Sequence, residues 1–390
     1  MVASAGCRAK AGAVTGDQSA AGDDRAALPL VFLWENFGPS HRDRLRAVAG
    51  AGHEVTAIEL FGASHVYDWE RDGDTRGWRT VTLARQRGSI GPMALARRIV
   101  NAVRESGARH AFMCHYNEPA VFLAALVLRA RGMAVFTMLD SKEDDRKRSR
   151  SSRWLRRLSL APYRGALVAG PRSRKYAQSL GISADRIASD YNALDVASLK
   201  AMGETAQPIA FGDRAFLVVA RLVGKKNIPA ALRAFGRYVR DHGGKRRLAI
   251  IGEGPERARL QELAGTLQVG ERVDWLGGRP RAQVAVAMRR AHALVLPSTV
   301  EQYGLVVAEA LAQGLVPIVT ARAGSVDVLI DNGVNGLVFE PEDEQALLDA
   351  MLALDTNEDL WRRMSDAALT SAWRGDIRHF VASVNRLVAG

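Results

Sequence analysis

The sequence predicts an α/β protein built from two Rossmann-like, doubly wound parallel-sheet domains that face a central cleft. Three observations lead there. In the first half of the chain, short apolar runs of strand length alternate with helical patterns of about 10–15 residues, the mark of βαβ units. Around residues 195–210 the alternation lapses, at an acid, Gly203 and Pro208. From residue 214 it resumes. A length of 390 residues suits two domains of ordinary size.

Residues 1–27 are rich in Ala, Gly and Ser and lack the continuous apolar core of a signal peptide, so a disordered leader is expected there. LPLVFLWE (28–35) is a strand. After the loop 36–40, HRDRLRAVAGAG (41–52) is a helix that Ser40 can cap. HEVTAIEL (53–60) is the next strand, 61–78 is irregular and polar, and WRTVTLA (78–84) is extended. GPMALARRIVNAVRESG (91–107) is an amphipathic helix. ARHAFMCH (108–115), EPAVFLAALVLRARG (118–132) and MAVFTML (133–139) read strand, helix, strand. GALVAG (165–170), a helix over 171–180 and a strand near 186–189 complete a first domain at 28–200. The linker is expected at 195–210. The second domain, 210–375, runs through strands at 214–222, 247–254, 272–278, 292–298 and 315–320, with late helices at 342–354 and 357–371. A last helix, within 376–390, is expected to pack back towards the first domain.

Composition narrows the function classes. Hydrophobic residues make up 47% and charged ones 25%, normal for a soluble globular protein. A net charge of +12 suits an anionic partner (nucleotide phosphates, nucleic acid or an acidic membrane surface), and also fits an arginine-rich proteome. Cys7 and Cys114 are the only cysteines, which argues against a disulfide framework or zinc cluster and fits a cytoplasmic setting. No apolar run approaches the roughly 20 residues of a membrane-spanning helix. Aromatics at 6% give little support for stacking on single-stranded nucleic acid. No GxSxG, HExxH or full P-loop occurs, which counts against those chemistries.

The densest stretch is PSTVEQYGLVVAEALAQG (297–314). Glu301 follows a loop and Glu309 sits in an apolar helical run, with Gly304 between them. The apolar run AHALVLP upstream reads as a buried parallel strand, so the unit is strand, loop, helix. In open α/β sheets ligands bind where such loops leave the strands. The free amides at the helix start, near Gly304 and Leu305, favour an anion. Two acids beside an anion site suit a ligand with a phosphate centre and hydroxyl-rich ends, because carboxylates accept bonds from sugar hydroxyls. A nucleotide-sugar fits.

Other constellations sit at strand ends. Arg221, Lys225 and Lys226 follow the strand at 214–222 and can clamp a diphosphate or form a solvated basic turn. IIGEGPE (250–256) matches the dinucleotide fingerprint only loosely, and its glycines would let a ligand approach the backbone. Gly38 forms a tight turn before a helix, with His41 at the helix start. His115 and Asn117 occupy the next strand end, and each of these three has a structural reading beside a functional one. Asp140 ends the strand at 133–139. From Lys142 to Lys175 there are twelve Lys or Arg against three acids, with Trp154, Leu155, Leu158 and Leu160 interleaved. That segment is either an amphipathic basic helix for an anionic leaflet or lipid-diphosphate acceptor, or a solvated face over core-packed Leu and Trp.

Taken in order, ARLVGKKNIPAALRAF, IIGEGPERARL, VDWLGG and PSTVEQYGLVVAEALAQGLVPIV resemble the donor-binding half of the family 4 retaining glycosyltransferases of GT-B fold. The Glu301/Glu309 pair looks like that family's E-x7-E motif. DYNALD (190–195) and LDSKEDDRKR (139–148) are similar to segments of bacterial members associated with surface-polysaccharide assembly. The resemblance implies that Arg221 and Lys226 hold the donor diphosphate, that Glu309 binds the ribose hydroxyls and that Glu301 orients the transferred sugar. It implies the Gly304 and Leu305 amides near the phosphate, and Gly252, Gly254 and Leu276 around the nucleoside. Gly38 would approach the donor phosphates from the first domain, over which the acceptor enters. Many members carry a histidine where this chain has Leu139 and Asp140. Either Asp140 substitutes as the polar contact, or the sugar is gripped differently.

The implied partners are a nucleotide-sugar donor, used as substrate, and a saccharide or lipid-linked saccharide acceptor. No resident cofactor, no metal and no nucleic acid is expected. Peripheral contact with the inner face of an anionic membrane is an option. Two competing readings are a nucleotide-sugar epimerase, which works without acceptor, and a basic nucleic-acid-binding protein, whose affinity would be strongly salt-dependent.

Overall fold

The computed structural model describes residues 27–62, 77–143 and 150–390, and for 150–153 the backbone only. All but one residue of the expected leader, most of the irregular stretch 61–78, and residues 144–149 of the basic segment lie outside these.

The first sheet has seven strands: β1 (Pro29–Trp34), β2 (Glu54–Phe61), β3 (Trp78–Ala84), β4 (His110–Met113), β5 (Ala134–Leu139), β6 (Gly165–Val168) and β7 (Ile187–Ala188). The second has six: β8 (Phe216–Val219), β9 (Leu248–Ile251), β10 (Val273–Gly277), β11 (Ala293–Leu296), β12 (Val316–Thr320) and β13 (Leu337–Phe339). Spatial orders are 3-2-1-4-5-6-7 and 10-9-8-11-12-13. All pairings are parallel, with Phe32 opposite Ala57 on one side and Phe112 on the other. Parallel sheets are covered on both faces, which is why their strands are near-continuous apolar runs.

The helices are α1 (Pro39–Gly50), α2 (Pro92–Glu105), α3 (Pro119–Ala130), α4 (Arg150–Leu160), α5 (Pro171–Ser179), α6 (Val196–Glu204), α7 (Ile228–His242), α8 (Arg257–Thr266), α9 (Arg281–Arg290), α10 (Leu305–Ala312), α11 (Val326–Leu329), α12 (Glu344–Thr356), α13 (Glu358–Ser371) and α14 (Ile377–Ala389). Three departures from the sequence reading have physical causes. Helix α1 starts at Pro39 with Gly38 as its N-cap, so Ser40 lies inside the first turn; proline is suited to a first helical position. The stretch taken as linker holds α6, whose first turn is capped by Asp195 accepting from the Ser198 amide at 2.9 Å. Gly203 is a packing residue, because a Cβ there would overlap the side chain of Gln313 in the loop after α10. Strand β13 is too short to stand out as an apolar run.

An aromatic ladder shows how the chain end joins the first domain. Phe32 stacks on Phe112 at 5.0 Å, Phe112 on Phe136 at 5.0 Å, and Phe380 of α14 tilts against Phe32 at 6.1 Å. Phe380 and Val384 are fully buried in that cluster. Helix α6 instead packs on α9 and α10 of the second domain.

In each sheet the chain reverses its direction of travel between two central strands, β1 and β4 in the first, β8 and β11 in the second. Crevices at the carboxyl ends of such strands are where doubly wound folds bind ligands. The loops containing Gly38, His115, Arg221 and Glu301 leave these four strands.

Candidate functional site

The centre of the site is Glu301, in the loop from β11 to α10. Lys226, in the turn after β8, donates to Glu301 Oε2 at 2.5 Å, and Ser298 Oγ donates to the same oxygen at 3.0 Å. Both ionic side chains are mostly buried, at 17% and 12% exposed. An ion pair this sheltered is screened little by salt. Of the two lysines in that turn, only Lys226 reaches the site. Lys225 is exposed and contributes its carbonyl oxygen, which accepts from the Thr299 amide at 3.0 Å and staples the two loops together. The solvated-turn reading therefore holds for Lys225 and fails for Lys226. Arg221 lies half-buried between β8 and that turn.

Gly304 is the N-cap of α10, at φ +91°. That left-handed conformation favours glycine. A Cβ there would also lie within 3.3–3.4 Å of the Glu301, Leu296 and Ser325 side chains. The first amides of α10, beginning at Leu305, thus open beside the Glu301 carboxylate.

Gly252 and Gly254 follow β9, and Leu276 lies near the end of β10, next to it in the sheet. These glycines have a structural reason of their own. Cβ atoms here would overlap the carbonyl oxygens of Ala220 and Leu222, on either side of Arg221. Backbone thus comes close at both glycines, and the contact pins the Arg221 turn.

Glu309 sits one and a half turns into α10 and is half-buried. Burial pushes its carboxyl above the usual range; the Arg281 guanidinium opposes that shift and Asp43 adds to it. With Leu199, Met288 and Gln313 it lines a cavity of about 10 Å³. That is room for one water and not for a ribose. Arg281 itself crosses the cleft to Asp43 of α1 at 2.5 Å.

The first domain supplies less than the sequence suggested. His41 Nδ1 accepts from the Gly38 amide at 2.9 Å, and its burial holds the ring neutral, well below its usual pKa. It serves the start of α1. His115 is held at φ +60°, a strained conformation for a residue other than glycine, at the end of β4. Asp140 is half-buried at the end of β5, where its carbonyl accepts from Ser173 Oγ at 3.0 Å.

Residues that sequence reasoning missed lie across the cleft. Lys142, buried to 2% exposure, donates to the carbonyl oxygens of Glu301 and Arg322, both at 2.8 Å. Arg172 of α5 forms a two-pronged pair with Asp327 of α11 at 2.8 Å and also donates to the Ala321 carbonyl at 2.9 Å. Both belong to the basic run 142–175, for which the sequence suggests a solvated or membrane-facing role. In α4, by contrast, Trp154 and Leu155 are 65% and 62% exposed, and only Leu160 of the four apolar residues is buried. The core-packed reading of that helix is corrected accordingly.

Residues 205–370 match the family described as glycosyl transferases group 1. That match takes in most of the second domain and under half of the chain. The chain is 31% identical over 192 residues to an exopolysaccharide phosphotransferase of Streptomyces coelicolor, covering 49% of this chain and 19% of that protein. A D-inositol 3-phosphate glycosyltransferase of Corynebacterium kroppenstedtii is 29% identical over 171 residues, 41% of this chain and 38% of that one. The chain thus spans well under half the length of these curated relatives. The crystal structure of Anabaena HepE in complex with UDP and glucose superimposes with a TM-score of 0.75 at 16% identity, covering 92% of this chain and 99% of that one. The whole fold, both domains included, is GT-B.

Proposed function

We propose that the protein is a retaining, metal-independent glycosyltransferase that moves a hexose from a nucleotide-diphosphate sugar to an acceptor hydroxyl in polysaccharide or glycolipid assembly. The observation that carries this reading is the Lys226–Glu301 ion pair beside the open N-terminus of α10, at the reversal point of the second domain. Cation, helix amides and carboxylate together match a ligand that is anionic in its centre and hydroxylated at its end. The Anabaena neighbour was solved with UDP and glucose, which is in keeping with such a donor.

The chemistry follows from the charges. As the bond between sugar and diphosphate breaks, negative charge grows on the leaving group. Arg221, Lys226 and the α10 amides stabilise that charge without reorganising. Lys226 turns from Glu301 to the diphosphate when the donor arrives. Glu301 Oε1, which the described residues leave free, then accepts from a sugar hydroxyl. A leaving-group oxygen takes the acceptor proton, so no protein base is required. Glu309 receives the ribose hydroxyls once the Asp43–Arg281 contact parts and the small cavity opens. Asp140 stands in for the family histidine as the polar contact of the first domain.

The acceptor is a saccharide or lipid-linked saccharide that enters over the first domain. Among the described residues no helix is long and apolar enough to cross a membrane. The exposed Trp154 and Leu155 of α4, with Arg156 and Arg157 beside them, suit peripheral contact with an anionic leaflet. The test is the anomeric configuration of the product formed from whichever nucleotide-sugar binds. Retention supports the reading. Inversion contradicts it, and conversion of the donor to its epimer without acceptor replaces the transferase with an epimerase.

A further inference from the structure

Lys142 belongs to the first domain, in the loop after β5, yet its ammonium lies between two loops of the second. Burying such a charge is costly unless it is well hydrogen-bonded. Here the Glu301 and Arg322 carbonyl oxygens accept from it at 2.8 Å each. The two loops also meet each other through a bridge between Glu301 and Ala323. Gly324 lets these loops come together beside the lysine stem: a Cβ there would overlap the Gln302 carbonyl oxygen and would touch Lys142 Cδ at 3.4 Å. The geometry is that of a bolt: one side chain from one domain, seated between two backbone segments of the other. One of those segments is the peptide of Glu301 itself.

We propose that Lys142 is a positioning residue that couples closure of the two domains to the placement of Glu301. With the domains together, the ammonium fixes the backbone from which the Glu301 carboxylate projects. With the domains apart, the ammonium leaves. The loop 298–304 then keeps only its own second-domain contacts, the Lys226 pair and the bridge to Ala323 among them. The acid is therefore set for sugar only in the closed molecule, where water is excluded. The inference rests on the reading of Glu301 as the sugar-side acid. A second link, Arg172 with Asp327 and the Ala321 carbonyl, holds the domains together without touching Glu301, so closure and the setting of Glu301 can be separated by mutation.

The experiment compares the full-length wild type with Lys142→Met, Lys142→Gln and Lys142→Arg by hydrogen exchange, alone and with UDP, GDP or ADP. Removing the ammonium is expected to speed exchange of the 298–304 and 321–325 amides by ~tenfold or more, with α7 and α12 of the same domain unchanged. Lys142→Arg should restore part of the protection. With the donor that binds, kcat should fall by up to ~10²-fold in Lys142→Met while donor KM stays within about threefold. Unchanged exchange in the two loops, or a rise spread evenly over the domain, overturns the inference. The functional reading fails separately: wild type that binds none of the three nucleotides removes it, and the exchange result still decides whether Lys142 holds the Glu301 loop.

Discussion

Glu301 carries the sharpest consequence at the scale of a single residue. On the proposed roles, Glu301→Ala removes the group that orients the sugar and frees Lys226 for the diphosphate. Transfer is expected to fall by ~10²–10³-fold while nucleoside-diphosphate affinity is kept or rises, measured by initial rates and calorimetry. Wild-type turnover would remove Glu301 from the site. The residue was legible because an acid, a glycine and a second acid fell at fixed intervals along one strand–loop–helix unit. Lys226 was legible as a member of a basic turn, but its separation from Lys225 was not, since only burial distinguishes them. Lys142 was hidden for a different reason. Its partners are backbone carbonyls 159 and 180 positions away, and a main-chain acceptor leaves no signature in the sequence.

At the scale of elements, strands read well because buried parallel strands are apolar throughout. Helix α6 did not, because its glycine looked like a breaker. The structure gives Gly203 a definite task, the close approach of α6 to the Gln313 side chain, which itself donates to the Leu199 carbonyl. Gly203→Ala is expected to cost ~1–3 kcal/mol of stability through overpacking, despite alanine's better helix propensity. Urea denaturation measures it, and a stabilised variant would show that Gln313 moves aside freely. The glycines at 252 and 254 teach the same lesson. Their spacing suggested a ligand close to the backbone; hidden in the sequence was that the Ala220 and Leu222 carbonyl oxygens, in the loop after β8, also press against them.

At the scale of the whole molecule, two doubly wound domains were legible from the lapse and return of the strand–helix alternation. The contacts that join them were not, since Asp43 and Arg281 are 238 positions apart. Global stability has a pH signature in the core of the second domain. His292 is fully buried between Phe211, Phe216 and Trp361; burial, with the Arg246 and Arg214 charges, pushes its pKa down to about 2. In the unfolded chain a histidine titrates near 6.5. The native state therefore refuses a proton that the unfolded state accepts. This contribution is complete above about pH 6.5 and is lost as pH falls from there towards 2, by up to ~1.4 kcal/mol per pH unit. Between pH 7.5 and 5.0 it costs ~2 kcal/mol, and His292→Phe should flatten the pH dependence by that amount in paired urea melts. An equal slope in both proteins would contradict the buried neutral ring.

The proposed chemistry depends on a nucleotide-sugar donor site between the β8 and β11 loops and α10. Calorimetric titration of UDP, GDP and ADP into wild type and Glu309→Ala tests it most directly. One of the three is expected to bind the wild type, Glu309→Ala to weaken it by ~tenfold or more, and binding of that nucleotide to weaken on acidification before an ordinary carboxylate would protonate. Folded wild type that binds none of them, or a Glu309→Ala variant of unchanged affinity, would contradict it.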